Sequence, residues 1–273
     1  MKTMEDLHKE LNCIITQSVQ VSPIMKIIRV KPIGWEFPEF ASGQFVALAL
    51  PPDTERCKEA TEEHTPPKPE KLIKRAYSIA SSSNDEVIEF YITLVHSGQL
   101  TPRIFSRQIG DKIWMGKKAV GMFTLDEIDE DRNIILIATG TGVAPYMSML
   151  RSNALKRKGN IMVIHGASNS WDLGYSSELK LLDNMFDRFG YYPTITEVDK
   201  EPPGWQGDTR FIGDIWEDGV VEKKWGFKPM PDNTDIFLCG NPRMVDGMKE
   251  LLFKDGFKDH KRKEPGQIHA EEF

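Results

Sequence analysis

The stretch Ile134–Leu150, IILIATGTGVAPYMSML, joins an apolar run to a helix-like segment through the break Gly-Thr-Gly. Residues 134–138 are apolar without alternation, which is typical of a parallel strand buried on both faces. Pro145 follows the break, and its fixed φ angle suits the first turn of a helix. The pattern therefore predicts a strand that turns sharply into a helix.

Two glycines in this turn, Gly140 and Gly142, would let the backbone come close to a bound group. The helix that follows would present unpaired N–H groups and a positive dipole end, both of which suit phosphate. The turn therefore predicts a dinucleotide site. A Gly-x-Gly turn also occurs where only a tight bend is needed, so this stretch alone leaves both interpretations open.

Length and composition indicate two domains of an ordinary soluble protein. The chain has 273 residues, of which 40% are hydrophobic and 28% are charged. No apolar run approaches the roughly 20 residues of a membrane span, so we expect no membrane insertion. The charged N-terminus lacks the apolar centre of a secretory signal, which predicts a cytoplasmic location. A net charge of −6 disfavours nucleic-acid binding.

The three cysteines, Cys13, Cys57 and Cys239, are too few and too far apart for a disulfide framework. They also provide no four-cysteine zinc or iron–sulfur site, and we predict no metal site. Redox chemistry in this chain would therefore need an organic cofactor.

The chain changes its pattern near residue 129. The first half contains five short β-like segments, CIITQSVQV, MKIIRVK, GQFVALAL, RAYSIASS and VIEFYITLV, which predict an antiparallel β-barrel over residues 1–128. Its segment 51–74 is rich in proline and charge, which indicates an exposed, mobile loop. Residues 129–273 alternate strand-like and helix-like segments, which predicts an α/β domain with a parallel sheet.

The segment RAYSIAS carries three side chains that suit a flavin dinucleotide. On a strand, Arg75 and Tyr77 share one face and Ser78 lies on the other. A guanidinium can pair with pyrophosphate, an aromatic ring can stack on a heterocycle, and a hydroxyl can bind a ring nitrogen. Each residue alone is more simply read as structural, and only their combination with other motifs favours a site.

Those other motifs make the chain resemble the ferredoxin–NADP reductase family, particularly its bacterial branch. The resemblance spans nearly the whole chain. It rests on the ordered motifs GQFVAL, RAYSIAS, VHSGQLTPRIF, GMFTL, ATGTGVAPYMSML, IHGASNSWDLGYSSEL, CGNPRMV and PGQIHAEEF.

The resemblance implies an FAD-binding N-terminal domain, an NAD(P)-binding C-terminal domain and a set of site residues. Ser78 would lie near flavin N5, Cys239 beside the nicotinamide, and Phe273 against the isoalloxazine, with Glu271 or Glu272 as the nearby carboxylate. Phe273 would gate nicotinamide access. The FAD-binding residues implied are Arg75, Ala76, Tyr77, Ser78 and the turn Gly98, Gln99, Leu100 and Thr101. The nicotinamide nucleotide path implied includes Thr141, Gly142, Pro145 and Gly240.

The match is incomplete where the family selects NADPH. An Arg commonly follows the His-Gly-Ala motif in the bacterial branch, but this chain has Ser168 there. Lys200 and Arg210 correspond to two further family cations. We therefore expect NADP(H) as the nicotinamide substrate, with NAD(H) as an alternative.

The resemblance implies a flavoenzyme that moves electrons between NADP(H) and an acidic one-electron carrier, ferredoxin or flavodoxin. Basic residues near the C-terminus or around Lys74 could dock that carrier, although a charge run is more often only a solvated surface. Two alternatives remain open. One is an NADH-dependent reductase component of an oxygenase or larger electron-transfer complex, and the other is a binding module that has lost its cofactor.

Overall fold

The chain forms two compact units. Residues 2–201 and 204–272 are described by a computed structural model. Unit 1 runs to Thr124 and includes Met147–Ser152, whereas unit 2 comprises Leu125–Tyr146 and the chain from Asn153 onward. The assignment of FAD to residues 1–128 and of NAD(P) to residues 129–273 is a division by function and stays a prediction.

Unit 1 is built on one antiparallel sheet of six strands in the order β4-β3-β6-β1-β2-β5. Five of them coincide with the predicted segments, whereas β6 has only four residues and was not predicted. Two short helices complete the unit. The elements are α1 Met4–Lys9, β1 Cys13–Ser22, β2 Met25–Pro32, β3 Phe45–Leu50, β4 Ile73–Ser78, β5 Ile88–Thr93, α2 Thr101–Phe105 and β6 Lys112–Met115.

The strands of unit 1 bury one face in an apolar core that includes Ile28, Val30, Leu48, Phe90 and Ile113. The predicted barrel is present as an open sheet, because no ladder joins β4 to β5 among the described residues. Two hydrogen bonds link the segment after β4 to β5, from Ala80 N to Glu89 O at 2.8 Å and from Glu89 N to Ser81 Oγ at 3.1 Å. Among the described residues, β4 is therefore an edge strand of the sheet.

Unit 2 is the predicted parallel α/β fold, with five strands in the order β11-β10-β7-β8-β9. Strands β7 and β10 lie in the middle and are almost completely buried, as an unbroken apolar run predicts. The strands are β7 Asn133–Thr139, β8 Ile161–Ala167, β9 Phe189–Ile195, β10 Thr234–Gly240 and β11 Ile268–Glu272. The helices of this half of the chain are α3 Ala144–Ser152, whose residues Met147–Ser152 are assigned to unit 1, α4 Ser176–Met185, α5 Ile212–Glu217, α6 Val220–Trp225 and α7 Pro242–Lys254.

Local sequence explains the best-defined helix of unit 2. Pro242 begins α7, and the side chain of Asn241 caps it by accepting a hydrogen bond from Arg243 N at 2.9 Å. Strand β11 and helices α5 and α6 were not predicted. The β11 segment IHAEE is polar, and pairing with β10 rather than its composition makes it a strand.

None of the helices within residues 2–201 and 204–272 combines the length and the apolar character needed to cross a membrane. The cytoplasmic location stays a prediction.

Candidate functional site

Strand β4 carries the residues predicted to bind a flavin and lies at an edge of the unit 1 sheet. Its pairing with β3 places Arg75 and Tyr77 on one face and Ser78 on the other, as the sequence predicts. Arg75 and Ala76 are exposed, whereas Tyr77 and Ser78 are half-buried. Tyr77 packs against the core of unit 1, and burial raises the pKa of its hydroxyl. The ring is thus held in place, as stacking on a heterocycle requires.

The guanidinium of Arg75 reaches the loop that precedes α2. Its Nη2 donates to Oε1 of Gln99 at 3.1 Å, and its Nη1 donates to the carbonyl of Lys74 at 2.7 Å. Arg75 and Gln99 are 24 residues apart in sequence, so the fold brings two predicted flavin-binding motifs together. Both acceptors are uncharged, and the positive charge of Arg75 therefore remains available to an anion.

The turn Gly98–Thr101 is closed by hydrogen bonds to Val95. Gly98 N donates to Val95 O at 2.8 Å, and Val95 N donates to Thr101 Oγ1 at 2.9 Å. The Thr101 hydroxyl also donates to Val95 O at 3.3 Å, so its proton already has an acceptor within the protein.

Two backbone donors of the same turn are free to bind an anion. In the part of the chain that the structure describes, the N–H groups of Gln99 and Leu100 have no acceptor. Together with Arg75 they form a set of donors of the kind that binds phosphate groups. The chemistry of these groups fits the pyrophosphate of FAD.

The segment Pro51–Lys74, predicted as a mobile loop, is tied down along α2. Cys57 N donates to Pro102 O at 2.9 Å, and Thr61 N donates to His96 O at 2.9 Å. Many of its side chains are exposed, as predicted. These contacts are made by backbone groups, which composition does not report, and the mobility of the segment stays a prediction.

In unit 2, the Gly-Thr-Gly break forms a short 3-10 turn, Gly140–Val143, between β7 and α3. Gly140 has a φ of +53°, a left-handed conformation that favours glycine. Pro145 stands in the first turn of α3, as predicted. A Cβ on Gly142 would lie 2.1 Å from Cys239 O. A close approach to β10 therefore requires glycine at residue 142, and its contact with a bound group stays a prediction.

A second contact joins the carboxyl ends of β7 and β10. Asn241 N donates to Thr139 Oγ1 at 2.8 Å. Gly240 has a φ of +138°, and a Cβ there would lie 2.2 Å from the same oxygen. Gly240, Gly142 and the half-buried Thr141 thus lie at one end of the sheet, where parallel α/β folds bind their ligands.

His165 supports this end of the sheet and was not singled out from the sequence. It lies in β8, is fully buried, and donates from Nε2 to Gly140 O at 2.9 Å. Burial lowers its pKa to about 4, so the ring is neutral at pH 7. Its Nδ1 has no hydrogen-bond partner among the described residues. The available signal was a histidine inside an apolar strand, which by itself is more typical of a core residue.

Cys239, Glu271 and Tyr146 lie together around the ends of β10 and β11. Cys239 is paired in register with Glu271 and is 1% exposed. Burial raises the pKa of the thiol, and the Glu271 carboxylate adds to this effect. The thiol is therefore protonated at pH 7 and is a poor nucleophile, which agrees with a role in orienting a ring without reacting.

The pKa of the Glu271 carboxyl group is also shifted from its ordinary value. Burial raises its pKa to about 7. The buried Tyr146 hydroxyl lies 2.9 Å from the carbonyls of both Ile137 and Phe237, and burial raises its pKa as well. Glu271 is thus the group in this cluster that changes charge near neutral pH.

The end of the chain is only partly described. Glu272 is exposed. Phe273, the predicted stacking residue, lies outside the described residues, so its stacking and gating role stays a prediction. Within the described ranges, no group of three His, Cys, Asp or Glu side chains could hold a metal ion.

Both cations predicted to bind a 2′-phosphate are engaged with carboxylates. Lys200 pairs with Glu197 and remains exposed. Arg210 donates to both carboxylate oxygens of Asp208 and lies 3.4 Å from Asp218. This pairing holds the pKa of Asp208 far below its usual range.

Acidic groups also lie beside Ser168, where the family commonly has an arginine. Glu197 N donates to Ser168 O at 2.8 Å, and Ser170 N donates to a carboxylate oxygen of Glu201 at 2.6 Å. Lys200 is placed by its hydrogen bond from N to Glu197 O at 3.2 Å. The fold therefore places Ser168 and Lys200 near each other, with the carboxylates of Glu197 and Glu201 beside them.

The predicted basic surfaces differ in their availability. Lys74 Nζ lies 3.8 Å from the centroid of the Trp114 ring, so its ammonium group makes a cation–π contact. Near the C-terminus, Lys258, Lys261, Arg262 and Lys263 are exposed, and Lys261 lies 4.0 Å from Glu264. His260 instead stacks on the His269 ring, at 4.5 Å between centroids. The C-terminal group is therefore the more accessible cationic surface.

Comparisons with known proteins agree with this two-unit fold. The family described as "Oxidoreductase NAD-binding domain" matches residues 136–250, which include the turn after β7 and most of the sheet. A crystal structure of a ferredoxin NADP+ reductase from Neisseria gonorrhoeae, with bound FAD and NADP, superimposes with a TM-score of 0.80. It is 23% identical, and the match covers 96% of this chain and 97% of that one, so it shows the fold.

Two relatives are close enough to define the family. The "Flavodoxin/ferredoxin--NADP reductase" of Buchnera aphidicola subsp. Baizongia pistaciae is 33% identical over 205 residues, which are 74% of this chain and 81% of the relative. The protein of the same name from Escherichia coli K12 is 31% identical over 207 residues, 76% of each chain.

An antiparallel β unit followed by an NAD-binding α/β unit defines a two-part oxidoreductase. The identity and coverage of the relatives narrow this class further. The chain belongs to the flavodoxin/ferredoxin–NADP reductase family.

Proposed function

We propose that this protein is an FAD-dependent oxidoreductase that transfers electrons between NADP(H) and ferredoxin or flavodoxin. Family membership supports the reaction. The observation that carries the flavin site is the donor set of Arg75, Gln99 N–H and Leu100 N–H, on the same sheet edge as the half-buried Tyr77 ring. Residues 1–128 would bind FAD, and residues 129–273 would bind the nicotinamide nucleotide.

Bound FAD would supply the exchange between a two-electron hydride step and one-electron steps, which no side chain can supply. Arg75 and the turn would hold the pyrophosphate, while Ala76 and Tyr77 would contact the flavin. Ser78 lies on the opposite face of β4, and its hydroxyl would serve the region of N5. One strand would thereby orient the pyrophosphate and the isoalloxazine, and close, fixed placement is what hydride transfer requires.

Unit 2 would place the nicotinamide. Thr141, Gly142, Pro145 and Gly240 line the path at the carboxyl ends of β7 and β10. The neutral, buried thiol of Cys239 provides a small polarisable surface beside the ring. The Glu271 carboxyl group, whose pKa is raised to about 7, can hold or release a proton at neutral pH.

A second candidate function is favoured by the carboxylates around the predicted phosphate site. Arg210 already donates to Asp208, so a 2′-phosphate would compete with that carboxylate for its charge, whereas the ribose hydroxyl of NADH requires no cation. This favours an NADH-dependent reductase component of an oxygenase or larger electron-transfer complex. The two candidates share the flavin chemistry and differ in the nucleotide.

The protein partner would dock through positive charge. Lys258, Lys261, Arg262 and Lys263 form an exposed cationic surface on a chain whose net charge is −6. Ferredoxins and flavodoxins are typically acidic, so this surface would attract them and increase the association rate.

The test is an anaerobic titration of the purified holoprotein with NADPH and, separately, with NADH. The absorbance of the flavin is followed, and the rate of bleaching is measured for each nucleotide. Fast bleaching by NADPH alone would support the first candidate and a 2′-phosphate site at Lys200 and Arg210. Equal or faster bleaching by NADH would support the second candidate. Absence of flavin, or no bleaching by either nucleotide, would overturn the proposed function.

A further inference from the structure

Residues 51–74, which we call the β3–β4 strap, run along the turn Gly98–Thr101. Gln99 is held from both sides, because its Nε2 donates to Thr65 O at 2.7 Å while its Oε1 accepts from Arg75. At the C-terminal end of α2, Ser106 Oγ donates to Glu55 O at 2.6 Å. The strap is therefore built onto the turn by contacts at several points.

Two arginines hold carbonyl groups of the turn itself. Arg56, from the strap, donates to Gly98 O at 3.3 Å and to His96 O at 3.1 Å. Arg103, from α2, donates to Gln99 O at 2.6 Å, and its other nitrogens donate to the strap carbonyl of Pro52 at 2.7 and 3.1 Å. Two consecutive carbonyls are thus directed toward guanidinium groups.

These contacts set the direction of the free N–H groups. In a trans peptide, the C=O and the following N–H point in opposite directions, and the described chain has no cis peptide. Because Gly98 O and Gln99 O point to Arg56 and Arg103, the N–H groups of Gln99 and Leu100 point away from them. They therefore point to the side that remains open to an anion.

Glu63 of the strap connects the two arginines. It forms an ion pair with Arg103 and lies 3.6 Å from Arg56 Nε. The side chains are 14% exposed for Glu63, 6% for Arg103 and 23% for Arg56, so the cluster is largely shielded from solvent. One carboxylate faces two guanidinium groups, which leaves a net positive charge behind the turn.

We propose that the β3–β4 strap is a positioning device for the flavin pyrophosphate, in which Glu63 locks Arg56 and Arg103 so that they orient the peptide groups of the turn. This inference rests on the proposed flavin site and adds residues to it that do not touch the cofactor. The excess positive charge of the cluster strengthens the attraction of the turn for a doubly charged pyrophosphate.

The test measures binding to the apoprotein by quenching of flavin fluorescence, with FAD and with riboflavin, which has no pyrophosphate. The variants are Glu63→Gln, which leaves the buried Arg103 and the half-buried Arg56 without this carboxylate, and Arg56→Ala, which frees the Gly98 carbonyl. Glu62→Gln is the matched control, because Glu62 is an exposed neighbour in the strap. Far-UV circular dichroism checks the fold of each variant.

We expect both variants to weaken FAD binding by about tenfold, roughly the effect of one lost hydrogen bond to a charged group, with riboflavin binding unchanged. Glu62→Gln should bind FAD like the unmodified protein. The proposal is overturned if Arg56→Ala, whose side chain is the most exposed of the three, keeps FAD affinity, or if FAD and riboflavin are weakened equally. If Glu63→Gln does not fold, Arg56→Ala decides alone.

The same titration separates this inference from the proposed function. An unmodified apoprotein that does not bind FAD would overturn the flavin site and with it the role of the strap. An unmodified apoprotein that binds FAD, with variants that bind equally well, would overturn only the strap.

Discussion

Replacing Glu271 by glutamine should change how the stability of this protein depends on pH. Glu271 lies at the end of β11, and no cation pairs with it among the described residues. Burial raises its pKa from 4.5 to about 7, so ionisation is less favourable in the folded protein than in the unfolded chain. Glutamine keeps the shape of the side chain and removes the ionisation.

The sign follows from the protons that each state binds. From about pH 4.5 to about pH 7 the folded protein binds more protons at Glu271 than the unfolded chain does, so rising pH destabilises the fold. At about 1.4 kcal/mol per pH unit, the rise in pKa corresponds to about 3 kcal/mol. Partial exposure of the side chain lowers this to about 2 kcal/mol.

The assay is urea unfolding of the unmodified protein and of Glu271→Gln, followed by circular dichroism from about pH 4.5 to about pH 8. The two proteins should be equally stable at the acidic end, and the variant should be more stable by about 2 kcal/mol at the basic end. Glu272→Gln, at the exposed neighbour, should follow the unmodified protein throughout. A stability difference that does not change with pH would refute the burial of the Glu271 carboxyl group.

Gly142→Ala should destabilise unit 2 by about 2 kcal/mol or more and lower its melting temperature, because the new Cβ would lie 2.1 Å from Cys239 O. An unchanged melting temperature would contradict this close packing. Arg210→Ala should raise KM for NADPH more than KM for NADH, and equal increases would show that Arg210 only supports Asp208. Raising the salt concentration from about 0.05 to about 0.3 M should slow reduction of ferredoxin or flavodoxin several-fold and that of ferricyanide much less. Turnover that is insensitive to salt would argue against the cationic docking surface.

The site was partly predictable because its motifs are local. The segment around Arg75 has the residue types of a strand, and the break at Gly140 has the chemistry of a strand-to-helix turn, so the sequence predicts both structures correctly. The reason for Gly142 was not predictable. Its partner is the carbonyl of Cys239 on another strand, and a sequence pattern does not show which backbone groups approach each other.

Residues that act through a distant partner were missed for the same reason. His165 is an isolated histidine until β8 lies beside β7 and its ring meets Gly140 O. Glu63 and Arg56 belong to a segment whose composition predicts only a solvated loop. Glu63 pairs with Arg103 of α2 and lies near Arg56, which makes both part of a largely shielded cluster.

The sequence by itself determined the order of an antiparallel β unit and a parallel α/β unit, because strand alternation, buried apolar runs and turn residues are properties of neighbouring positions. It also identified the motifs that define the family. Only the tertiary structure decided which charges remain available. Arg75 donates to uncharged acceptors, whereas Arg210 pairs with Asp208 and Asp218. Burial raises the pKa of Glu271 to about 7, which favours its neutral form. Electrostatic interactions depend on distance and on exclusion of water, and both are set by packing between segments far apart in the chain.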